Sequence, residues 1–279
     1  MDGNAIIVFW VIYCNIHVVL HNKETYSMAM EKKTAAVIVI GNEILSGRTH
    51  DVNTNFIAKA MTAKGIQLTE ARVVPDDFDL IIEAVNLMRE RYDYVFTTGG
   101  IGPTHDDMSA EAIARAFGVK LVQHESAYQM LLDYYKDESK LNDARLKMTY
   151  LPEGSDMIIN KVTGAPGFKI GNVYAMAGVP KIMQAMVESL LPSLAGGVKI
   201  YSISVTVNLV ESQIADILQK LEEDNDGVEI GSYPSFKDGI GKVSAVIRGP
   251  DKEKLEHVSK ALQHAFIDLG GSILEVKEL

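Results

Sequence analysis

The feature that most restricts the fold is a regular alternation of strand-like and helix-like segments that begins near residue 34. Residues 34–40 (TAAVIVI) form an unbroken apolar run, which is typical of a strand buried on both faces of a sheet. A helix is predicted over 51–64, with an inward stripe of Val52, Phe56, Ala60 and Ala63. Further strands are predicted at 66–74, 92–98 and 173–177, and further helices at 80–91, 108–117, 125–137, 142–148 and 181–191. This order predicts a parallel, doubly wound sheet with right-handed crossovers.

The pattern changes after Gly196-Gly197, which marks the predicted domain boundary. Strands are predicted there at 199–209, 228–233, 242–248 and 272–276, and helices at 211–223 and 252–269. The order β-α-β-β-α-β is the split βαβ arrangement of a small α+β domain. The predicted organisation is therefore an extension at 1–33, a larger α/β domain at 34–197 and a small domain at 198–279.

Composition narrows the class of protein. Of the 279 residues, 47% are hydrophobic and 23% are charged, so a sizeable core is available. The net charge of −10 argues against nucleic acid as the main partner, because that binding needs a cationic face. Cys14 is the single cysteine, which excludes an intrachain disulfide and a cysteine zinc cluster and fits a cytoplasmic location.

The extension differs from the rest of the chain. Its segment 5–20 is apolar but short for a membrane span, which needs about 20 residues. No Lys or Arg precedes Lys23, whereas a signal peptide has a basic start. Three interpretations stay open: translation that truly starts at Met28 or Met30, an added strand or anchor, and a cleaved signal. We expect no membrane partner.

Residues 97–107 (TTGGIGPTHDD), here called the glycine loop, follow the third predicted strand. Open parallel sheets bind ligands at the carboxyl ends of their strands. Successive glycines permit positive φ and let a ligand approach backbone N–H groups, which hold phosphate oxygens. The predicted phosphate contacts are Thr98, Gly99, Gly100, Gly102 and Pro103 in the loop, with Gly167, Gly178 and Pro180 from two later glycine turns.

Acidic residues follow the same strand ends. Asp106 and Asp107 close the glycine loop, while Glu43 follows the first strand in a predicted turn and Asp76 follows the second. Magnesium binds one or two carboxylates together with substrate phosphates, so these acids predict a divalent-metal nucleotide site. The alternative is that the two aspartates only begin the next helix, where acids suit the helix dipole. His105 is interpreted as a solvated loop residue, and residues 233–236 (YPSF) as a β-turn.

Together these motifs resemble the molybdopterin-binding (MoaB/Mog-like) domain family, and the chain is similar to the amino-terminal domain of competence/damage-inducible (CinA) proteins. The matching segments are 41–47, 74–76, 97–109, 166–168, 177–180 and 233–235. The resemblance implies a three-layer α/β fold, a homodimer or homotrimer, and magnesium-dependent chemistry that uses Asp76 and Asp107. Two departures are Asn42, where many members have Asp, and Ile101, where Thr is common.

Three functional hypotheses follow. The leading one is a metal-dependent hydrolase of a nucleotide pyrophosphate such as ADP-ribose or FAD. The glycine loop would hold the diphosphate, Asp106 and Asp107 would position the metal, and Glu43 or Asp76 would orient a water. The second is molybdopterin binding or adenylyl transfer in molybdenum cofactor assembly. The third is a nucleotide- or pterin-binding protein without turnover.

Overall fold

The computed structural model describes residues 32–237 and 240–278, so the apolar segment 5–20 lies outside the described residues. The chain divides into two compact units between Val198 and Lys199. In the part of the chain that the structure describes, no helix is long and apolar enough to cross a membrane.

The first unit is built on a six-stranded sheet with the order β2-β1-β3-β8-β7-β6. Its strands are β1 (Lys33–Ile40), β2 (Ile66–Val74), β3 (Tyr94–Thr98), β6 (Asp156–Ile158), β7 (Gly167–Ile170) and β8 (Val173–Met176), and a separate pair is formed by β4 (Leu121–Gln123) and β5 (Tyr150–Pro152). Its helices are α1 (Asn42–Leu45), α2 (Asn53–Ala63), α3 (Phe78–Arg91), α4 (Ser109–Ala116), α5 (Glu125–Tyr135), α6 (Asp143–Lys147) and α7 (Pro180–Leu190). The strands β2, β1, β3 and β8 are parallel, whereas β7 and β6 are antiparallel to their neighbours. The predicted three-layer, mostly parallel α/β fold is confirmed.

Strand β1 is the centre of this unit. Its residues alternate between two hydrophobic cores, one on each face of the sheet, because successive side chains of a strand point to opposite faces. Ala36, Ile38 and Ile40 belong to one core, and Ala35, Val37 and Val39 to the other. The strand is therefore buried on both faces, as its apolar run predicts.

Three local expectations were wrong in whole or in part. The fully buried face of α2 is Asn53, Ile57 and Met61. Of the predicted stripe, Phe56 and Ala60 do pack partly buried against the core, whereas Val52 is 46% exposed and Ala63 is also exposed. The Asp51 carboxylate accepts hydrogen bonds from the first N–H groups of α2, and the large aliphatic side chains one position along the helix fill the core. Residues 42–45 form α1 rather than a turn. Residues 233–236 lie in a strand of the second unit rather than in a turn, where an edge position tolerates the proline.

The second unit is a four-stranded antiparallel sheet with the order β10-β11-β9-β12. Its elements are β9 (Tyr201–Val207), α8 (Glu211–Glu223), β10 (Glu229–Lys237), β11 (Ile240–Gly249), α9 (Lys252–Asp268) and β12 (Ile273–Glu278). One hydrophobic core joins the two helices to the sheet. The predicted split βαβ arrangement is confirmed.

Candidate functional site

The candidate site lies where β2, β1 and β3 end side by side. Ile40 is in register with Val74, and Val39 with Thr98, so the segments that follow these strands leave the same edge of the sheet. The backbone N–H of Asn42 donates to the Asp76 carboxylate at 2.9 Å. This hydrogen bond ties the first residue of α1 to the segment after β2, and it holds Asp76 at the edge of the sheet.

Close packing around the glycine loop requires glycine at two of its positions. Gly99 and Gly100 have φ angles of 104° and 67°. A Cβ at Gly99 would overlap the carbonyl oxygen of Ile40, and one at Gly100 would overlap Ser109 Oγ. The Ser109 hydroxyl donates to the Gly99 carbonyl at 2.8 Å, and its backbone N–H donates to the Gly100 carbonyl at 2.8 Å. The loop is therefore fixed between β1 and the first residue of α4.

This fixed backbone leaves donors free beside Gly99. Among the described residues, the N–H groups of Gly100 and Ile101 have no hydrogen-bond partner. They precede the N-terminus of α4, where the first N–H groups of a helix also lack intrahelical partners. Such an arrangement attracts an anion through both donors and the helix dipole.

Asp107 organises the rest of the loop. One carboxylate oxygen accepts the N–H of Gly102 at 2.8 Å, and the other accepts the N–H of Thr104 at 2.8 Å and its hydroxyl. A Cβ at Gly102 would lie 2.7 Å from this carboxylate, so glycine is needed for the close approach. The Thr104 hydroxyl has a single proton, which Asp106 and Asp107 share, and this hydrogen bond lowers the pKa of the exposed Asp106 carboxyl. Asp106 is thus ionised at neutral pH, while the Asp107 carboxylate is held in place by donors of its own loop.

The carboxylates do not form a dedicated metal cage. Among the described residues, no group of three or more His, Cys, Asp or Glu side chains converges. Magnesium usually keeps water and substrate phosphate ligands and takes only one or two carboxylates. Asp106, whose carboxylate accepts only one hydrogen bond from another residue, and Asp107 therefore fit a cation whose remaining ligands come from a bound phosphate.

A cleft of about 120 Å³ opens beside the loop. One wall is formed by Gly100, Ile101, Gly102, His105 and Asp107. A second part of the lining, here called the second wall, consists of Lys147, Met148 and Tyr150, and an apolar part, here called the floor, includes Phe78, Leu151 and Phe168. Sites for whole drug-sized ligands measure about 300–1,000 Å³. This cleft therefore has room for one ring or one phosphate group of a larger ligand.

The structure brings only part of the predicted site together. Gly100, Gly102 and Asp107 line the cleft, and Pro103 and Asp106 are exposed in the same loop. Thr98 and Gly99 are buried at the end of β3. Glu43 and Asp76 lie at the neighbouring strand ends and are not among the residues that line the cleft. Asp76 is held by its hydrogen bond from Asn42, whereas Glu43 is exposed.

The two later glycine segments have other positions. The turn expected at Gly167 is wrong: this residue is buried in β7 opposite Ile158, and a Cβ there would overlap the carbonyl oxygen of Ala175. Gly178 does follow a strand end. Its carbonyl accepts a hydrogen bond from the buried Asn53 side chain at 2.8 Å, and its added Cβ would lie 3.3 Å from Gly99 Cα. Pro180 begins α7 behind this contact.

Sequence patterns predicted the helix that carries Lys147, at 142–148, but not that Lys147 lines the cleft. Tyr150 begins a strand of three residues, which is too short to show a periodic signal. Asn53 was also missed, although an amide on the inward face of an otherwise apolar helix is a recognisable signal.

Comparisons with known proteins cover both units. A family model described as "Probable molybdopterin binding domain" matches residues 36–196, and one described as "FAD synthase, middle domain" matches residues 199–269. A protein of Archaeoglobus fulgidus is 38% identical over 232 residues, which cover 83% of this chain and 97% of that protein.

Two further relatives carry names. A "Probable FAD synthase" of Caenorhabditis briggsae is 31% identical over 264 residues, covering 85% of this chain and 50% of that protein, so the chain spans half the length of this relative. The crystal structure of the Thermoplasma acidophilum protein CinA, described as of unknown function, is 38% identical with a TM-score of 0.55. It covers 58% of this chain and 98% of that chain.

Proposed function

The chain belongs to the molybdopterin-binding domain family, and from this premise we propose that it is a metal-dependent hydrolase of a nucleotide pyrophosphate such as ADP-ribose or FAD. One observation carries the proposal: the partnerless N–H groups of the glycine loop and the Asp107 carboxylate belong to one cleft with an apolar floor. A phosphate beside a flat ring is the ligand chemistry that fits this combination. The match of the second unit to an FAD synthase middle domain supports a nucleotide of the flavin or adenine type.

The cleft of about 120 Å³ would hold one phosphate group of the ligand. The N–H groups of Gly100 and Ile101 would donate to an oxygen of this phosphate, helped by the N-terminus of α4. An edge of the adjoining ring would contact the floor, which includes Phe78 and Phe168, and the rest of the nucleotide would extend out of the cleft over the exposed strand ends.

Hydrolysis adds the oxygen of water to one phosphorus and breaks the bridging P–O bond, which releases AMP when the substrate contains an adenylate. A divalent cation held by Asp106 and Asp107 would supply charge neutralisation at the diphosphate. Asp76 is positioned for a different task, because its contact with Asn42 leaves one carboxylate oxygen free to accept a proton or orient water. The exposed Glu43 at the neighbouring strand end is the alternative group for that role.

The test is release of AMP from ADP-ribose and FAD in the presence of magnesium, manganese or cobalt. Asp106→Asn and Asp76→Asn each remove a charge while they keep an oxygen that accepts the existing hydrogen bond. We expect either variant to lower kcat by about a hundredfold or more. Asp216→Asn, an exposed position on α8, is the matched control and should retain full activity. Absence of AMP release with every metal and substrate refutes the hydrolase proposal.

Ligand binding without turnover is the second candidate, and a specific observation favours it. Both oxygens of Asp107 already accept hydrogen bonds from the loop, so the residue has a structural task that needs no metal. Under this candidate Asp106→Asn leaves nucleotide affinity unchanged and no metal stimulates turnover. Under the hydrolase proposal the same variant loses metal-dependent turnover while it stays folded.

A further inference from the structure

The cleft beside the glycine loop contains a single strong cation. Among the described residues that line it, Lys147 is the only lysine or arginine, and it shares the lining with Gly100 and Gly102. The other charged groups there are Asp107, Glu111 and the titratable His105. A cation and partnerless N–H groups in the lining of one cleft are a combination that favours a bound anion.

The carboxylates that line this cleft have partners other than Lys147, and the nearby carboxylate whose charge acts on Lys147 is that of Asp106. Glu111 pairs with Arg115, and Asp107 is satisfied by N–H groups of its own loop. Lys147 forms no salt bridge within the described ranges 32–237 and 240–278. Its ammonium donates instead to the neutral backbone carbonyl of Thr104, at the tip of the glycine loop. An ionised phosphate oxygen is a stronger acceptor for an ammonium group than this carbonyl is.

The backbone that carries Lys147 is well fixed although the helix is short. The Asn142 side chain accepts the N–H of Arg145 at 3.0 Å and caps the start of α6. The Arg145 guanidinium stacks over the Tyr135 ring at 4.2 Å, and the N–H of Thr149 closes the end of the helix on Leu146 at 2.9 Å. The lysine therefore extends from a rigid base toward the loop, which reduces the entropy lost on binding.

We propose that Lys147 is the phosphate-binding cation of this cleft: its ammonium exchanges the Thr104 carbonyl for a phosphate oxygen of the ligand. The phosphate then lies between Lys147 and the N–H groups of Gly100 and Ile101. This assignment deepens the proposed function, on which it rests, by placing the diphosphate end of the substrate between α6 and the glycine loop. The hydrogen bond to Thr104 keeps the lysine at the mouth of the cleft before the ligand arrives.

Four variants separate the charge of Lys147 from its hydrogen bond to the loop. Lys147→Gln keeps a donor for the Thr104 carbonyl without the charge, Lys147→Met removes both, and Lys147→Arg keeps both. Lys59→Met removes an exposed lysine of α2, which does not line the cleft, and serves as the control. The probe is inorganic pyrophosphate, titrated calorimetrically into the full chain at two salt concentrations.

We expect Lys147→Gln and Lys147→Met to weaken pyrophosphate binding about tenfold, since a hydrogen bond to a charged group contributes at least this factor. The salt dependence of their affinity should also be shallower, whereas Lys147→Arg and Lys59→Met should bind like the original protein. Wild-type affinity in Lys147→Gln together with weak binding in Lys147→Met would show that the hydrogen bond to Thr104, and not the charge, matters, and would overturn the assignment. Unchanged affinity in both variants, or no pyrophosphate binding by the original protein, would also overturn the assignment.

The proposed reaction can fail separately. If pyrophosphate binding depends on Lys147 but no metal supports AMP release, the phosphate subsite stands and the hydrolase proposal falls. If AMP release is present and both uncharged variants bind pyrophosphate normally, the hydrolase stands and the assignment of Lys147 falls.

Discussion

Replacement of Gly100 by alanine tests whether packing, rather than a ligand, dictates the glycine loop. Gly100 and Gly118 share a φ of 67°, so alanine is strained equally at both positions. They differ in their surroundings: an added Cβ at Gly118 has nothing within 4 Å, whereas one at Gly100 overlaps Ser109 Oγ. Gly118→Ala is therefore a control that isolates the backbone term.

The magnitude follows from two terms. Left-handed backbone costs an alanine about 1–2 kcal/mol, and this is the whole effect expected for Gly118→Ala. At Gly100 the Ser109 hydroxyl must also move, which breaks its buried 2.8 Å hydrogen bond to the Gly99 carbonyl and leaves that carbonyl unpaired. The second term costs about 1–3 kcal/mol. Gly100→Ala should therefore lose about 2–5 kcal/mol of unfolding free energy.

A double-mutant cycle with Ser109→Ala makes the reasoning specific. Ser109→Ala removes the obstructing oxygen, and the next nearest atom, Ser109 Cβ, is 3.1 Å from the added Cβ of residue 100. Each single variant loses the hydrogen bond from Ser109 to the Gly99 carbonyl, and the double variant loses the same bond only once. The double variant should therefore be less destabilised than the sum of the two single variants by about 1–3 kcal/mol. Urea unfolding followed by circular dichroism measures all four proteins. Equal losses at Gly100 and Gly118, or strict additivity in the cycle, would refute the packing account.

Three further predictions concern stability. Burial raises the pKa of Asp93. The hydrogen bonds that its carboxylate accepts from Thr34 and from a neighbouring lysine lower the pKa by more than burial raises it, so the net pKa is below the ordinary value. The ionised carboxylate therefore stabilises the fold above about pH 4 and loses this effect as the pH falls through the lowered pKa, so Asp93→Asn should cost about 1 kcal/mol at pH 7 and almost nothing near pH 2 in urea titrations. Ile57→Ala should cost about 2–5 kcal/mol while Val52→Ala stays within about 0.5 kcal/mol, and the reverse order in thermal unfolding would restore the predicted helix stripe. Asp107→Asn cannot accept the N–H bonds of both Gly102 and Thr104, so it should lower the melting temperature by several degrees, and an unchanged value would show that the carboxylate does not hold the loop.

Much of the fold could be predicted because its main signals are local. The apolar run of β1 and the helical stretch of α8 follow from their own residues, and the order of elements leaves few topologies for the sheet. The short strands could not be found in this way. Tyr150–Pro152 pairs with Leu121–Gln123 across two intervening helices, and three residues are too few to show a period.

The same limit explains why half of the cleft was missed. Its loop wall is one continuous segment whose glycines and acids stand out in the sequence. Its second wall is assembled from the end of α6 and the start of β5. Contacts distant in sequence, among them the β4–β5 pairing and the hydrogen bond from Lys147 to Thr104, hold this wall at the loop. The role of a single polar residue in a short element depends on its contacts with residues that are distant in sequence, and a periodic sequence pattern does not show these contacts.

The glycines of the loop carry less functional information than their spacing implies. Gly99 and Gly100 are required by the Ile40 carbonyl and by Ser109, and Gly102 is required by the Asp107 carboxylate, whether or not a phosphate binds. The case for a ligand therefore depends on what this packing leaves over: N–H groups without partners, a cleft and a lysine without a salt bridge among the described residues. Since Asp107 also belongs to the packing, its replacement mixes loss of the loop with loss of chemistry. Asp106, Asp76 and Lys147 each make one hydrogen bond that an uncharged amide variant can keep, so these variants are the ones that separate function from structure.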